Sequence, residues 1–158
     1  MADARFEDGA ETPLRLIARD ADDLAVIAGL IQDAVFPITD MAYDAARRRF
    51  ALLVNRFRWE DRAAAEVAGR AYERVRAMLV VEDVLRVRTS GIDRADRDVI
   101  LSALTLGFVP GPDGTGTLTL TLAGDGAVAL EVEALEVRLD DVTRPHRAVS
   151  KAAPQHDV

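Results

Sequence analysis

The chain has 158 residues, of which 49% are hydrophobic and 30% are charged, and its formal net charge at pH 7 is −7. This composition predicts one ordered globular domain, and the negative charge disfavours nucleic-acid backbones and anionic membrane surfaces as partners. The absence of cysteine excludes disulfides, thiolate catalysis and cysteine-ligated metal centres.

The first predicted elements are a strand and a helix. Alternating apolar residues from Leu14 onward predict the strand. Asp20 is a suitable N-cap, and a stripe of apolar residues at helical spacing follows it, namely Leu24, Ile27, Leu30, Ile31 and Ala34. The sequence therefore predicts a helix over residues 21–35, which ends before Pro37.

Residues 49–60, RFALLVNRFRWE, are apolar on both alternating phases. Successive side chains of a strand point to opposite faces, so this stretch predicts a central strand that is covered on both sides. Residues 38–43 are β-leaning and predict a hairpin with it, through a loop of about four or five residues. Residues 61–71 are rich in alanine and predict a connector with one short helix.

Alternation of apolar residues returns between residues 75 and 89, with a bulge or a tight reversal at Glu82 and Asp83. Residues 99–108 fit both a helix and a strand, and we favour a helical turn that passes into a strand. The repeated leucines and valines around Gly124-Asp-Gly126 predict a second hairpin. After Ala134 the apolar phase slips, which requires a bulge or a final helical turn.

These elements predict an α+β fold, with a mostly antiparallel sheet of about seven strands and one main helix packed on a face. Residues 14–30 and 85–104 share the order strand, acidic cap and apolar helical run. Either two divergent β-α-β-β halves or a chance similarity of amphipathic elements explains this. We expect a single domain over residues 13–142, between a flexible arm at 1–12 and a flexible tail at 143–158.

Few residues have the chemistry of a catalytic or metal site. His146 and His156 lie in the predicted tail, where no neighbour would hold a general base, so Ser-His-Asp and Cys-His catalysis are not expected.

Asp93, Asp96 and Asp98 crowd one loop and are the carboxylates that a hydrolase or a small-ligand site would use. Solvated loop carboxylates are the simpler explanation, and the loop lacks the glycine and terminal glutamate of an EF-hand. We predict no metal and no cofactor.

The other candidate site is Arg56, Phe57, Arg58 and Trp59. Arginines interleaved with aromatic residues are typical of surfaces that stack on single-stranded RNA, and such a surface needs both aromatic rings exposed. The alternative is that the arginines pair with acidic residues and that the tryptophan packs in the core. The net negative charge favours this alternative, so we expect nucleic acid not to be the partner.

No run of about 18 apolar residues could span a bilayer. The acidic N-terminal residues lack the basic and apolar regions of an export signal. We therefore expect a cytoplasmic protein without membrane contact.

Three stretches together resemble a conserved bacterial family, domain of unknown function 2948: FALLVNRFRWE at 50–60, RVRAMLVVEDVLRVRTSGIDR at 74–94 and GDGAVALEVEALEVRLDDV at 124–142. The resemblance covers roughly residues 14–142, has no catalytic signature and implies a bacterial cytoplasmic protein of this size. Our leading hypothesis is a non-enzymatic protein-interaction or regulatory module, with a homodimer as one form of it. The alternatives are a small-ligand-binding protein or hydrolase that uses the loop carboxylates, and a single-stranded RNA-binding protein.

Overall fold

The computed structural model describes residues 12–147. Strands dominate this range: β1 Arg15–Ala18, β2 Val35–Pro37, β3 Met41–Asp44, β4 Arg49–Phe57, β5 Glu73–Val81, β6 Val84–Ser90, β7 Ile100–Pro110, β8 Gly116–Leu122, β9 Ala127–Val132, β10 Val137–Asp141 and β11 His146–Arg147. The two α-helices are α1 Ala21–Leu30 and α2 Arg62–Ala68, and short 3-10 helices occupy Ile38–Asp40, Trp59–Asp61 and Pro112–Gly114.

The strands form one antiparallel sheet in the order β1-β10-β5-β4-β2-β7-β8-β9-β6, while β3 pairs with β4 and β11 pairs with β5. The short strand β2 joins the two halves of the sheet. Its first residue, Val35, is opposite Asn55 of β4 and also opposite Ser102 of β7. A three-residue strand therefore decides how the two halves meet.

Both halves of the sheet bury one face in the same core. Phe50, Leu52 and Leu79 of the first half belong to one hydrophobic cluster with Leu118 and Leu130 of the second half. Helix α1 adds Leu24 and Ile27 to this cluster. The sheet is thus folded around a single core that α1 helps to cover.

The terminal strand β6 lies against the β3–β4 hairpin, which branches from the middle of the strand order. The hydroxyl of Tyr43 in β3 donates a hydrogen bond to the carbonyl of Val84 in β6, at 2.7 Å. The amide of Val84 donates to the carbonyl of Arg48, at 2.8 Å. These bonds bring the start of β6 against the β3–β4 hairpin.

Several predicted elements are confirmed. Of the strand predicted at 49–60, Arg49–Phe57 forms β4, which has β5 on one side and both β2 and β3 on the other, whereas Trp59–Asp61 is a 3-10 helix. The core face of β4 is fully buried and its other face is half-buried. The hairpins β3–β4 and β8–β9 form as expected, and α2 is the short connector helix, ended at Gly69 with a φ of 66°.

The first helix is shorter than predicted. It ends at Leu30 instead of residue 35, and Asp33 has a φ of 63°, which a helix cannot contain. The amide of Asp33 donates to the carbonyl of Ala103, and the amide of Ala103 donates to the carbonyl of Ala34, both at 2.8 Å. Asp33 and Ala34, which the apolar stripe placed in the helix, therefore bond to β7 instead.

Residues 99–108 are also different from the prediction, because Ile100–Pro110 is a continuous strand without a helical turn. Its pairing with β8 shifts between Ala103 and Thr105, which marks a bulge. An extra residue in a strand moves the apolar phase, and this gave the segment its helix-like spacing. Residues 85–104 therefore lack the helix of a β-α-β-β unit, which favours the chance similarity of amphipathic elements over two divergent halves.

The described residues contain eleven strands and two helices, where the sequence predicted about seven strands and one main helix. Two predicted strands are each divided. Asp83, with a φ of 56°, lies at the bend that separates β5 from β6, and β9 and β10, which pair with β6 and β5, are likewise separate strands. Strands as short as β2 and β11 exist only through pairing with distant strands.

Residues 146–147 were expected in the flexible tail, but they pair with β5. The remaining predicted tail, 148–158, and residues 1–11 of the predicted arm lie outside the described residues. Among the residues that are described, no helix is long and apolar enough to cross a membrane.

Candidate functional site

Arg56, the first candidate residue from the sequence, is buried inside the fold. It continues the buried phase of β4 after Val54 and is 0% exposed. Its guanidinium donates two hydrogen bonds to Asp141 (3.0 and 3.1 Å), two to Glu60 (2.8 and 2.9 Å) and one to the carbonyl of Phe57 (3.3 Å). Five donated bonds match the five N–H groups of an arginine, so this side chain has no donor left for a ligand.

The charges in this cluster stabilise one another. Burial alone would lower the pKa of Arg56, but its hydrogen bonds with Glu60 and Asp141 outweigh burial, and the pKa is raised. Burial alone would raise the pKa of Glu60, but the Arg56 guanidinium outweighs it, and the pKa is lowered. Both groups are therefore charged at neutral pH, and the cluster is an internal ion network.

Arg58 lies in a second network beside the first. Its Nη1 donates to Glu73 at 2.7 Å and lies 3.6 Å from an oxygen of Asp61. Arg70 donates two hydrogen bonds of 2.6 Å to Asp61 in a bidentate pair. The hydrogen bonds from Arg70, opposed by burial, lower the pKa of Asp61.

Phe57 and Trp59 belong to an aromatic cluster and not to an open stacking surface. The ring centroids of Phe57 lie 4.8 Å from Trp59 and 5.6 Å from Tyr72. The indole N–H of Trp59 donates to the carbonyl of Gln32 at 3.0 Å. The structure thus brings the four candidate residues together, but Phe57 is 1% exposed. The requirement for two exposed rings beside free arginines is not met.

The aspartates of the acidic loop are exposed. Asp93 accepts a hydrogen bond from the amide of Ala95, and Asp96 accepts one from the amide of Asp98. These contacts are typical of carboxylates that shape their own loop. In the part of the chain that the structure describes, no group of three or more potential metal ligands is present.

The histidines are not brought to a site within the described residues. His146 is exposed in β11, and His156 lies beyond the described range.

A cleft between β6 and the side strand β3 is a better candidate. Within the described residues, β6 is one of the two terminal strands of the order and has β9 as its strand neighbour. Strand β3 lies across from it and is paired with β4 on its other side. Between them is a cleft of about 210 Å³, lined by Met41, Ala42, Tyr43, Phe50, Val87, Thr89 and Arg94.

The lining of this cleft, which we call the β3–β6 cleft, is mainly apolar, and arginines lie beside it. Phe50 forms its floor and is 2% exposed, whereas Ala42 lies exposed at its rim. Arg94 lines one end, and Arg86 and Arg88 are exposed along β6. Arg88 pairs with Glu131 of β9 at 3.1 Å. A terminal strand next to such a cleft can take a further strand, since its outer backbone groups have no strand partner.

Sequence reasoning missed this cleft because its walls are far apart in the chain. Tyr43 and Val84, which hold β3 against β6, are separated by 41 positions. The available signal was local: arginines alternate with Val87 and Thr89 from residue 86 to 89. Alternation marks a strand, but it does not tell whether that strand is terminal.

Comparison of the chain with known protein families gives a specific match. A family model described as "Protein of unknown function (DUF2948)" matches residues 14–156. The chain belongs to the DUF2948 family. The match includes every described strand and helix and all residues of the β3–β6 cleft. No curated protein and no solved structure was found to match this DUF2948 chain.

Proposed function

We propose that this DUF2948 protein is a protein-interaction module that binds an extended segment of a partner by strand addition at β6. The observation that carries the proposal is the position of β6, which ends the sheet beside an apolar cleft. An extended segment would gain backbone hydrogen bonds along the edge of β6. Those bonds, and the side chains buried beside them, would offset the free-energy cost of ordering the segment.

The cleft supports this proposal because it offers a place for such a side chain. Met41, Tyr43 and Val87 are half-buried around the fully buried Phe50. Peptide-binding edges use main-chain bonds for affinity and pockets beside them for specificity. The hydrogen bond from Tyr43 to Val84 holds the two walls in position before a partner arrives.

A homodimer is the second form of the interaction hypothesis. In that form a second copy of the chain is the partner, and the mass of the protein in solution would be that of a dimer. The bacterial and cytoplasmic setting stays a prediction from the sequence resemblance, to be checked in the organism that carries the gene.

The proposal is tested by selecting binders from a random peptide library with the purified full chain. We expect selected peptides to shift the backbone amide signals of β6 and β3 in NMR titrations. Ala42 borders the cleft on the exposed face of β3, so Ala42→Trp should obstruct the space between β3 and β6 without entering the core; the variant should fold and lose binding at least tenfold. Ala46→Trp, in the exposed β3–β4 turn and outside the cleft lining, is the matched control and should bind as the parent does.

Two results would count against strand addition. One is that the selection yields no peptide that binds the protein, although the protein is folded. The other is a set of binders whose shifts lie away from β3 and β6 and whose affinity is unchanged by Ala42→Trp.

A further inference from the structure

We infer that the segment taken by the β3–β6 cleft alternates apolar with acidic side chains. This inference rests on the proposed function and specifies the chemistry of the partner. It comes from how β6 displays its own side chains. Val87 packs against the core and Thr89 lines the cleft, while Arg86 and Arg88, at the alternate positions of the strand, are exposed. A strand added beside β6 would have one face toward the cleft and the other beside these arginines.

The partner that β6 already has shows the same pattern. Strand β9 is antiparallel to β6, with Arg86 opposite Glu131 and Arg88 opposite Ala129. Val128, Leu130 and Val132 of β9 are buried, whereas Glu131 faces the arginines and pairs with Arg88 at 3.1 Å. One edge of β6 therefore holds a strand with apolar residues inside and a carboxylate outside, and the same side chains also border its outer edge.

A second copy of the chain fits this edge less well. If two β6 strands paired edge to edge, Arg86 and Arg88 of one copy would come close to the same arginines of the other. Like charges on facing strands are destabilising. Charge complementarity thus favours an acidic extended segment over self-association.

Three blocked synthetic peptides test the inference. The first copies residues 127–133 of this chain, AVALEVE, the second has both glutamates replaced by glutamine, and the third has both replaced by lysine. In NMR titrations at low salt we expect the acidic peptide to bind about fivefold more tightly than the glutamine peptide, and the lysine peptide to bind most weakly. Added salt should shrink these differences, since it screens exposed charges.

Variants identify the responsible charges. Arg86→Gln should remove most of the preference for the acidic peptide, while Arg47→Gln, an exposed arginine of the β3–β4 turn, should leave the preference intact. Ala42→Trp should abolish binding of all three peptides.

Each other outcome has a clear meaning. Equal affinity for the three peptides, lost in Ala42→Trp, would overturn the acidic preference and leave strand addition standing. If none of them shifts β6, the inferred partner chemistry is wrong, and the library selection decides on strand addition by itself. A dimer in light scattering that Ala42→Trp abolishes would assign the cleft to a second copy and would also overturn the inference.

Discussion

At the residue scale, Arg56 is the clearest case of a side chain whose role depends on its environment. In the sequence it stands among aromatic residues as a binding arginine would. In the fold it is 0% exposed and is matched by Asp141, Glu60 and a backbone carbonyl. Removal of one partner from a buried ion pair is costly because the remaining charge is left uncompensated in a poorly solvated site.

The predicted consequence concerns Asp141, whose side chain is 5% exposed and also accepts the amide of Leu14. Asp141→Asn keeps the shape but removes the charge, so we expect the free energy of unfolding in urea to fall by about 3 kcal/mol. Glu133→Gln is the control, because its pair with Arg48 is exposed on both sides and should change stability by less than about 0.5 kcal/mol. Equal effects of the two substitutions would show that the buried network does not hold the end of β10.

At the element scale, α2 is held by charged pairs as well as by the aromatic cluster at its flanks. It has seven residues, of which Ala65 is buried and Val67 is 91% exposed. So short a helix is unstable alone, and burial of its own apolar side chains contributes little. The bidentate pair between Arg70 and Asp61 and the pair between Arg58 and Glu73 connect its two flanks to each other and to β5. The stability of this connector should therefore depend on pH.

The direction follows from Glu60 and Asp61, whose pKa values in the folded protein are below their ordinary values of 4.5 and 3.8. Their contribution is complete above those ordinary values and is lost as pH falls through the lowered ones. We expect the free energy of unfolding, followed by Trp59 fluorescence, to be constant near neutral pH and to fall in acid. Arg70→Gln removes the main cause of the Asp61 shift and should make this fall shallower. An unchanged acid dependence in that variant would contradict the role given to the pair.

At the scale of the whole molecule, β6 is joined to the β3–β4 hairpin by very few bonds. Strand β6 ends the strand order and the hairpin branches from β4 in its middle, yet Tyr43 and Arg48 bond to Val84. The β3–β6 cleft exists because the two strands meet near Val84 and leave space farther along. The same bonds thus define both the shape of the sheet and the site.

Tyr43→Phe tests this contact between β3 and β6. Loss of the hydroxyl leaves the Val84 carbonyl without that donor, and we expect the free energy of unfolding to fall by about 1 kcal/mol. Hydrogen exchange at the Val84 amide should become faster, while exchange at Leu79 in the middle of β5 should change only with global stability. Tyr72→Phe, which removes a surface hydroxyl bonded to Glu66, is the control and should leave Val84 unchanged. Unaltered exchange at Val84 in Tyr43→Phe would mean that other contacts hold β6 in place.

Much of the fold could be predicted from local pattern because its causes are local. The N-cap Asp20, the apolar stripe behind it, the two hairpins and the doubly apolar strand β4 all express side-chain periodicity over a few residues. The bulge between Ala103 and Thr105 shows where this reasoning stops. One extra residue shifted the phase, and a strand was interpreted partly as a helix.

The candidate site was less accessible to sequence reasoning. Burial decided the role of Arg56 and Arg58, and burial depends on which distant carboxylates arrive beside them, such as Asp141, 85 positions away from Arg56. The β3–β6 cleft depends on the order of strands in the sheet, which periodicity does not encode.

By itself the sequence determined the α+β class, the mainly antiparallel sheet, the start of α1 and the membership in DUF2948. These depend on alternation, capping and composition, which neighbouring residues express together. Only the tertiary structure decided that Arg56 is an internal ion partner and that β6 is a terminal strand beside an apolar cleft. Both depend on contacts between residues far apart in the chain, and the free energy of such contacts is gained only when the whole sheet has formed around its core.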